Sequence, residues 1–233
     1  MKSKKSNPKN IESNKRLSLS KADNINLADK VYAQLEEMIV TLEFEPGQML
    51  SESELGEMLQ VSRTPIGEAL QRLAREGLVN ILPRRGIVVT EINIADQLKV
   101  LEFRSVVSRF AASSAARRAN DGERTQMHAI AKELLDAVKG KDSHALLQAD
   151  KAFHDHFSIC TRNEFASRTL DALDSLSRRF WFVFHQKQDD AESGKLHADL
   201  ALAIAKGDSK AAELASDRLF DSLEKFVHQT LKR

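Results

Sequence analysis

The chain has 233 residues, of which 42% are hydrophobic, and this is enough for two modest domains that each bury a core. Its single cysteine excludes an intramolecular disulfide, and its most apolar segment, residues 180–184, is far shorter than the roughly 20 residues that a membrane-spanning helix requires. The N-terminus also lacks the apolar stretch of a secretory signal. A soluble protein of the reducing cytoplasm, without a membrane partner, is therefore expected.

Positive charge is concentrated in two parts of the sequence, although the net charge of the whole chain is only +1. Residues 1–26 carry seven basic and two acidic groups with little apolar content, which predicts a disordered basic arm. This arm is either a solvated tail without a role or a segment that attracts DNA phosphates non-specifically. The second concentration runs from Arg63 to Arg85 and contains five arginines and two glutamates. Residues 27–92 as a whole are acidic, with six basic and eleven acidic groups, so the positive charge of this part is confined to one stretch.

The first two predicted helices lie within residues 27–59. Apolar residues at helical spacing predict a helix over residues 27–42, which the Pro46-Gly47 turn follows. After a short candidate strand at 48–50, the pattern Ser51-x-x-Glu54 predicts a capping box at the start of a second helix. This second helix is expected to bury Leu55, Met58 and Leu59.

A third helix is predicted over residues 62–77, directly after the second. Ser62 can cap its N-terminus, Pro65 falls in its first turn, and Gly77 can provide a left-handed end. Two short helices joined this closely must turn sharply, which is typical of a helix-turn-helix motif. The apolar stripe of the third helix is Ile66, Ala69, Leu70 and Leu73. Its polar face offers side chains that can reach phosphates or base edges, namely Arg63, Thr64, Gln71, Arg72 and Arg75.

A β-hairpin is predicted after the third helix. β-branched runs at 78–82 and 87–90 flank the tip Pro83-Arg84-Arg85-Gly86, which carries two arginines. Three helices followed by a hairpin form a winged helix, whose third helix enters the major groove of DNA while the wing lies along the backbone or the minor groove. The sequence therefore predicts a winged helix-turn-helix domain over residues 27–92. Its expected DNA-binding residues are Ser62, Arg63, Thr64, Gln71, Arg72, Arg84, Arg85 and Gly86.

Short motifs occupy turn, cap and core positions throughout residues 27–90: Glu45-Pro46-Gly47, Leu50-Ser51-Glu52, Val61-Ser62-Arg63-Thr64-Pro65, Glu68-Ala69-Leu70, Glu76-Gly77-Leu78-Val79 and Pro83-x-x-Gly86. Together they resemble the winged-helix domain of GntR-type bacterial transcription regulators. The resemblance implies a homodimer that binds double-stranded DNA at a near-palindromic operator, most commonly as a repressor. One position departs from the family, because Gly67 stands where an arginine that contacts DNA is usual. The expected base-facing set is therefore Arg63, Thr64 and Gln71.

The C-terminal part, residues 93–233, contains no convincing strand. Breaks rich in Asn, Asp and Gly separate six predicted helices, at residues 93–120, 122–139, 142–161, 164–188, 191–206 and 208–231. The expected fold is therefore mainly α, with an N-terminal winged helix-turn-helix domain and a C-terminal antiparallel bundle of about six helices.

Two residues of the third bundle helix, Asp150 and His154, are candidate metal ligands. They lie four residues apart, so both project from one helical face and can chelate one ion. His197, on a later helix, is a third candidate. A solvated ion pair between Asp150 and His154 would give the same spacing, and the sequence alone cannot show that the three side chains converge.

The patterns Asp150-x-x-Phe153-His154 and His197-x5-Ala203-Ile204-x-x-Gly207-Asp208 resemble the FCD effector domain, which accompanies this winged helix in the FadR branch of the family. In metal-binding members, an aspartate and three histidines hold a divalent ion. The resemblance implies that Asp150, His154 and His197 bind an ion of the Zn, Ni or Mn class. The fourth ligand position is occupied by Leu219, which lowers the expected affinity and leaves coordination sites open for water or an effector carboxylate.

Arg104 matches an arginine near the effector pocket of relatives, and the resemblance implies that it binds a small organic acid. The alternative is an ion pair with Glu102 or another neighbour. The aromatic segment at 180–184, which follows Arg178 and Arg179, is more simply explained as core or dimer surface than as a ligand platform.

These elements predict a homodimeric DNA-binding repressor, not an enzyme, whose operator affinity is controlled by an organic acid bound through a divalent metal. A second hypothesis keeps the DNA-binding domain but makes the bundle a metal-free effector or dimerisation domain, and Leu219 favours it. A third is a metalloenzyme that uses Asp150, His154 and His197 as a facial triad with open positions. No recognisable general base, nucleophile or cofactor loop accompanies those residues, which argues against catalysis.

Overall fold

The computed structural model describes residues 27–185 and 187–230, and the basic arm predicted over residues 1–26 lies outside them. The N-terminal part contains α1 (Leu27–Val40), β1 (Met49–Leu50), α2 (Glu52–Leu59), α3 (Arg63–Arg75), β2 (Val79–Leu82) and β3 (Gly86–Val89). The C-terminal part contains α4 (Ile94–Arg118), α5 (Asp121–Gly140), α6 (Ser143–Cys160), α7 (Glu164–Phe184), α8 (Lys187–Ala205) and α9 (Ser209–Thr230).

The N-terminal part is the predicted winged helix. Its three strands form an antiparallel sheet in the order β1-β3-β2, with Met49 opposite Val88 and Leu82 opposite Gly86. The apolar faces of α1 and α3 pack on each other and on the sheet around buried residues such as Leu35. The apolar stripe predicted for the third helix, Ile66, Ala69, Leu70 and Leu73, is buried in this core.

The start of α2 follows the sequence prediction, whereas the start of α3 does not. The Ser51 hydroxyl accepts a hydrogen bond from the Glu54 backbone N–H at 3.2 Å. Ser62 stands at the corresponding position before α3, but its side chain makes no capping hydrogen bond. Pro65 explains part of the difference, because it is the third residue of α3 and has no N–H for the Ser62 hydroxyl to accept. The predicted Ser62 cap is therefore wrong.

The buried face of α2 also differs from the prediction. Leu55 is buried, but Met58 is 53% exposed, so its predicted place in the core is wrong. Gly56 is buried instead, and a Cβ atom on it would lie only 3.1 Å from the Val61 carbonyl oxygen. The turn after α2 therefore packs closely against the backbone of Gly56, where any larger residue would meet it.

Over residues 94–185 and 187–230, the C-terminal part is a bundle of six helices around a main apolar core, with a smaller apolar cluster beside it. Phe153, Leu134 and Ile204 are among its fully buried residues, and Leu219 is also buried there. Cys160 lies in the same core, where burial raises the pKa of its thiol to about 11. Within the described ranges, no helix is both long and apolar enough to cross a membrane.

Most helix boundaries in the bundle lie where the sequence predicts them, because side-chain caps mark them. Asn120 and Glu123 form a reciprocal capping box at the start of α5. The break predicted at residues 189 and 190 is wrong: α7 ends at Phe184, and Asp190 lies in the first turn of α8. A carboxylate is favourable at that end of a helix, since it interacts with the positive end of the helix dipole.

Helix α7 joins the bundle to the winged helix. Arg178 contacts two glutamates of α1, with 3.2 Å from Nη1 to Glu36 Oε1 and 3.2 Å from Nη2 to Glu37 Oε2. Arg179, which is 2% exposed, donates to the hydroxyl and the backbone carbonyl of Thr90 at 3.0 and 2.7 Å. Two adjacent arginines thus fasten α7 both to α1 and to the segment after the wing.

Candidate DNA-facing surface and buried cavity

The outer face of α3 is open to solvent at the positions that the sequence predicts for DNA contact. Ser62, Arg63, Thr64 and Gln71 are all exposed. Gly67 lies among them in a shallow groove, and the described residues that border this groove with it are Glu52, Arg63, Thr64, Glu68, Gln71 and Arg75. The missing side chain at Gly67 therefore leaves a recess in the middle of the exposed face of α3.

Arg72 is engaged inside the winged helix and is less available for DNA than the sequence suggests. Its guanidinium lies 3.6 Å from the centre of the Tyr32 ring, and its Nε donates to Glu76 at 3.0 Å. The Tyr32 hydroxyl donates to the other Glu76 oxygen at 2.7 Å, and burial, with that contact, raises the pKa of Tyr32. Arg72 thus braces α3 against α1 through a cation–π contact and an ion pair.

The wing presents Arg84 and Arg85 at its exposed tip. The Arg85 N–H donates to the Leu82 carbonyl at 3.0 Å, and Arg84 adopts a left-handed conformation with φ of 63°. Gly86 has φ of 105°, and a Cβ atom on it would lie 3.2 Å from the Leu50 carbonyl oxygen. The two arginines are accessible to a phosphate backbone, whereas the geometry of Gly86 serves the close approach of β1 to β3.

The bundle encloses a cavity of about 250 Å³. The three predicted metal ligands meet at its polar end: Asp150 and His154 from α6 and His197 from α8 have donor atoms within 4.8 Å of one another. The structure therefore shows that Asp150, His154 and His197 converge, which their positions in the sequence could not show.

His197 and Asp150 direct two possible ligand atoms toward each other in the cavity. Its Nδ1 lies 2.9 Å from the Ser193 carbonyl, which can only accept, so Nδ1 carries the proton and Nε2 of the neutral ring has a free lone pair. That Nε2 lies 3.3 Å from Asp150 Oδ1, which is also an acceptor. Two acceptors at this separation need a cation or a proton between them. Ligand atoms about 2.1 Å from one tetrahedral zinc ion would lie about 3.4 Å apart, so the spacing of His197 Nε2 and Asp150 Oδ1 fits a metal, while His154 Nε2 lies farther from Asp150 Oδ1, at 3.8 Å.

His154 is the second imidazole of this cluster. Its Nε2 lies 3.8 Å from Asp150 Oδ1 and 3.3 Å from Asp174 Oδ1. Burial holds the pKa of His154 well below its usual range, with Asp150 opposing the effect and Arg104 adding to it. The ring is therefore neutral near pH 7, which is the form that binds metals.

Two buried arginines line the same cavity, and the sequence predicted only one of them. Arg104, on α4, is 5% exposed and donates to Asp174 Oδ1 at 2.6 Å, while its Nη2 lies 3.5 Å from His154 Nε2. Arg178, on α7, is 4% exposed. Each has an Nε–H without a hydrogen-bond partner among the described residues. Such buried donors favour an anion in the cavity.

The rest of the cavity wall is largely apolar. Phe180, Trp181 and Phe182 line it, so the aromatic segment that was more simply explained as core or dimer surface forms part of a ligand-sized space. Phe180 also packs in an adjoining apolar cluster with Phe226, which accounts for its core-like pattern. Asp174 and Arg178 were missed, because neither belongs to a recognisable spacing pattern with residues on other helices.

Comparison with known proteins gives matches over both parts of the chain. The family model "Bacterial regulatory proteins, gntR family" matches residues 27–89, and the "FCD domain" model matches residues 99–222, more than half of the chain. The "Nta operon transcriptional regulator" of Aminobacter aminovorans is 28% identical over 177 residues, which are 75% of this chain and 83% of that protein. The "HTH-type transcriptional repressor RspR" of Escherichia coli K12 is 26% identical over 201 residues, covering 86% and 88%.

The fold is also that of a solved structure. "E. coli McbR/YncC" aligns with a TM-score of 0.73 at 16% identity, covering 89% of this chain and 99% of that one. The order of domains, the winged helix and the helical cavity domain agree with both family matches. The chain therefore belongs to the GntR family of bacterial transcription regulators, with an FCD domain after its DNA-binding winged helix.

Proposed function

We propose that this regulator is a repressor whose operator affinity is controlled by a small carboxylate bound in the bundle cavity through a divalent metal ion. The observation that carries the proposal is the polar end of the cavity, where His197 Nε2 faces Asp150 Oδ1 at 3.3 Å beside two buried arginines. Repression is further suggested by the relative RspR, which is described as a repressor. The regulator is expected to act in the cytoplasm.

We assign operator reading to the exposed face of α3 and backbone binding to the wing. Arg63, Thr64 and Gln71 are the base-facing set, with Ser62 at the helix start, while Arg84 and Arg85 contact phosphates. Arg72 is left out of the base-facing set, because Tyr32 and Glu76 already hold its guanidinium.

Replacement of Arg63 and Arg85 separates these two roles. Arg63→Ala should weaken operator binding by roughly 1–3 kcal/mol and relax specificity, because a base contact is lost. Arg85→Ala should weaken binding to all DNA sequences alike, because a phosphate contact is lost. It should also lower the salt slope, which is the slope of log K for DNA binding against log salt concentration, by about 1 in magnitude. Fluorescence anisotropy titrations at several salt concentrations measure both effects. Unchanged affinity in both variants would contradict this use of α3 and the wing.

In the proposed metal site, Asp150, His154 and His197 hold a divalent ion of the Zn, Ni or Mn class. Nitrogen and carboxylate ligands suit such ions, and three protein ligands leave positions for water or for a carboxylate. The ion would supply a Lewis acid for the effector's carboxylate oxygens. The Ser193 carbonyl accepts a hydrogen bond from His197 Nδ1 and so orients the ring, as a hydrogen bond from the other ring nitrogen commonly does for metal-binding histidines.

Metal content tests this site. The purified protein should contain about one divalent ion per chain by elemental analysis, and His197→Ala should lose it because the lone pair that faces Asp150 is removed. His156→Ala is the matched control, since His156 also lies on α6 but its Nε2 lies 2.9 Å from the Glu123 carbonyl, outside the proposed ligand set. Wild-type protein that takes up no divalent ion, even when dialysed against Zn²⁺, would contradict the proposal.

A metal-free effector domain is the second candidate function, and Arg104 is the observation that favours it. Its guanidinium lies 3.5 Å from His154 Nε2, so a fixed positive charge already stands beside one metal ligand. Leu219 provides no fourth ligand, and its side chain is buried in the bundle core. A thermal-shift screen of carboxylic acids, with and without Zn²⁺, distinguishes the two candidates. Stabilisation that does not depend on Zn²⁺ supports the metal-free domain.

We also propose that the regulator is a homodimer that binds a near-palindromic operator. Helix α4 presents a stripe of exposed apolar residues at helical spacing, Phe103, Val106 and Phe110. Contiguous apolar surface of this kind is typical of association sites. A dimer would place two copies of α3 against two half-sites of DNA.

A further inference from the structure

Arg178 is at once part of the cavity wall and part of the contact between the bundle and the winged helix. Its side chain is 4% exposed, lines the cavity, and donates to Glu36 of α1 at 3.2 Å. Its Nε–H has no hydrogen-bond partner among the described residues. A guanidinium has five donors, so Arg178 can still recruit an anion from the cavity side.

Glu36 is an unusual residue on the other side of this contact. It is a carboxylate with 4% exposure, and it accepts hydrogen bonds from Arg178 and from the Ser175 hydroxyl at 2.9 Å. Lys151 Nζ is its other close cation, at 3.9 Å. Burial raises the pKa of Glu36, and the nearby Lys151 and Arg178 oppose that effect. Lys151 and Arg178 together compensate the ionised form of Glu36, which loses part of that compensation and a hydrogen bond if the Arg178 guanidinium turns toward another anion.

Helix α1 carries Glu36 on one turn and a contact with the DNA-facing helix on the turn before it. Tyr32 lies one turn before Glu36, and its ring and hydroxyl contact Arg72 and Glu76 at the end of α3. The same helix, α1, thus contacts both α7 and α3.

We propose that Arg178 is a second anion-binding residue of the cavity and that the effector carboxylate and Glu36 compete for it. This proposal rests on the carboxylate effector proposed above. An anion bound in the cavity draws the guanidinium away from Glu36, weakens the attachment of α1 to α7, and lowers operator affinity. Conversely, operator-bound protein keeps Arg178 on Glu36 and binds the anion less tightly, because coupling between two sites is reciprocal.

The test uses the full chain loaded with Zn²⁺, an operator selected from random DNA, and benzoate as a probe carboxylate with an apolar ring. Benzoate should lower the operator affinity of the wild type about tenfold, within the usual range of coupling between sites. Glu36→Gln removes the competing charge and keeps the side-chain shape. It should bind benzoate about tenfold more tightly and lose the effect of benzoate on operator affinity. Glu43→Gln, an exposed glutamate after α1, should behave as wild type.

The second part of the experiment measures operator affinity without benzoate. Arg178→Gln removes the shared cation and should lower operator affinity about tenfold without benzoate, whereas Arg168→Gln, an exposed arginine of the same helix, should leave it unchanged. Unchanged operator affinity in Arg178→Gln, or a full benzoate effect in Glu36→Gln, would overturn the competition. Absence of benzoate binding to the wild type counts instead against the carboxylate effector, and the measurement without benzoate then decides the role of Arg178.

Discussion

Gly67 stands in the middle of the exposed face of the DNA-facing helix, where it contributes no side chain. It has ordinary helical geometry, and a Cβ atom there would lie 3.8 Å from Glu52 Oε1, an ordinary van der Waals contact. The local backbone therefore does not require glycine. The recess that it leaves between Arg63 and Gln71 remains available for a base edge or a thymine methyl group.

Gly67→Ala should raise the free energy of unfolding by about 1 kcal/mol, because alanine has the higher helix propensity and no contact opposes it. Denaturant titration measures the change. Gly56→Ala is the matched control in α2, where a Cβ atom would meet the Val61 carbonyl oxygen at 3.1 Å and should cancel the gain. A stabilisation of equal size in both variants would show that the close approach of the Val61 carbonyl oxygen to position 56 does not affect the free energy of unfolding.

Local features were predictable from the sequence at the residue scale, and buried charges were not. The Ser51 cap and the left-handed Gly77 depend on neighbours within a few residues, so a short pattern carries them. Glu36, Asp174 and Arg178 have the composition of a solvated helix face, because partners on other helices leave no spacing signal in the sequence. Asp150 and His154 were candidates by their spacing, the family resemblance supported them together with His197, and only the fold shows that the three converge.

At the scale of elements, the wing combines a proposed DNA contact with backbone strain. Arg84 takes a left-handed conformation, which costs a non-glycine residue roughly 1–2 kcal/mol, whereas Arg85 is not among the residues with positive φ. The doubly basic tip was predictable from the sequence. The strain was not, since the pattern Pro-Arg-Arg-Gly does not reveal which arginine adopts positive φ.

Arg84→Gly should therefore stabilise the protein by about 1 kcal/mol while it weakens binding to DNA of any sequence. Thermal unfolding gives the first effect, and the salt dependence of DNA binding gives the second. Arg85→Ala removes the same charge without relieving strain, so it should lower the salt slope equally but should not raise stability. Equal stability of Arg84→Gly and wild type would show that the turn bears no strain.

Helix α7 illustrates why an element can be predicted correctly and its role missed. Its helical pattern from residue 164 was clear, but successive residues serve different partners. Asp174 contacts Arg104 in the cavity, Ser175 donates to Glu36 of α1, and Arg179 holds Thr90 after the wing. The polar partners of these residues lie on other elements, so the sequence of α7 alone does not identify them.

For the whole molecule, the exposed apolar stripe on α4, formed by Phe103, Val106 and Phe110, is the proposed interface of the homodimer. Val106 lies at the centre of this stripe and is 68% exposed. Val106→Glu should shift the protein toward monomer and weaken operator binding, because a charge buried in the interface opposes association. Ile159→Glu, at a 61% exposed position of α6, is the matched control. Sedimentation velocity measures the assembly. A dimer that persists in Val106→Glu would move the interface to another surface.

Cys160 makes the molecule convenient for spectroscopy. It is the one cysteine in the sequence, its side chain is fully buried in the bundle core, and burial raises the pKa of its thiol to about 11. Since thiolate is the reactive form, maleimide dyes should leave it untouched in the folded protein. A cysteine introduced at exposed Ile81 of the wing and another on the bundle surface would then carry a fluorophore pair, and energy transfer between them would report each reorientation of the DNA-binding domain directly.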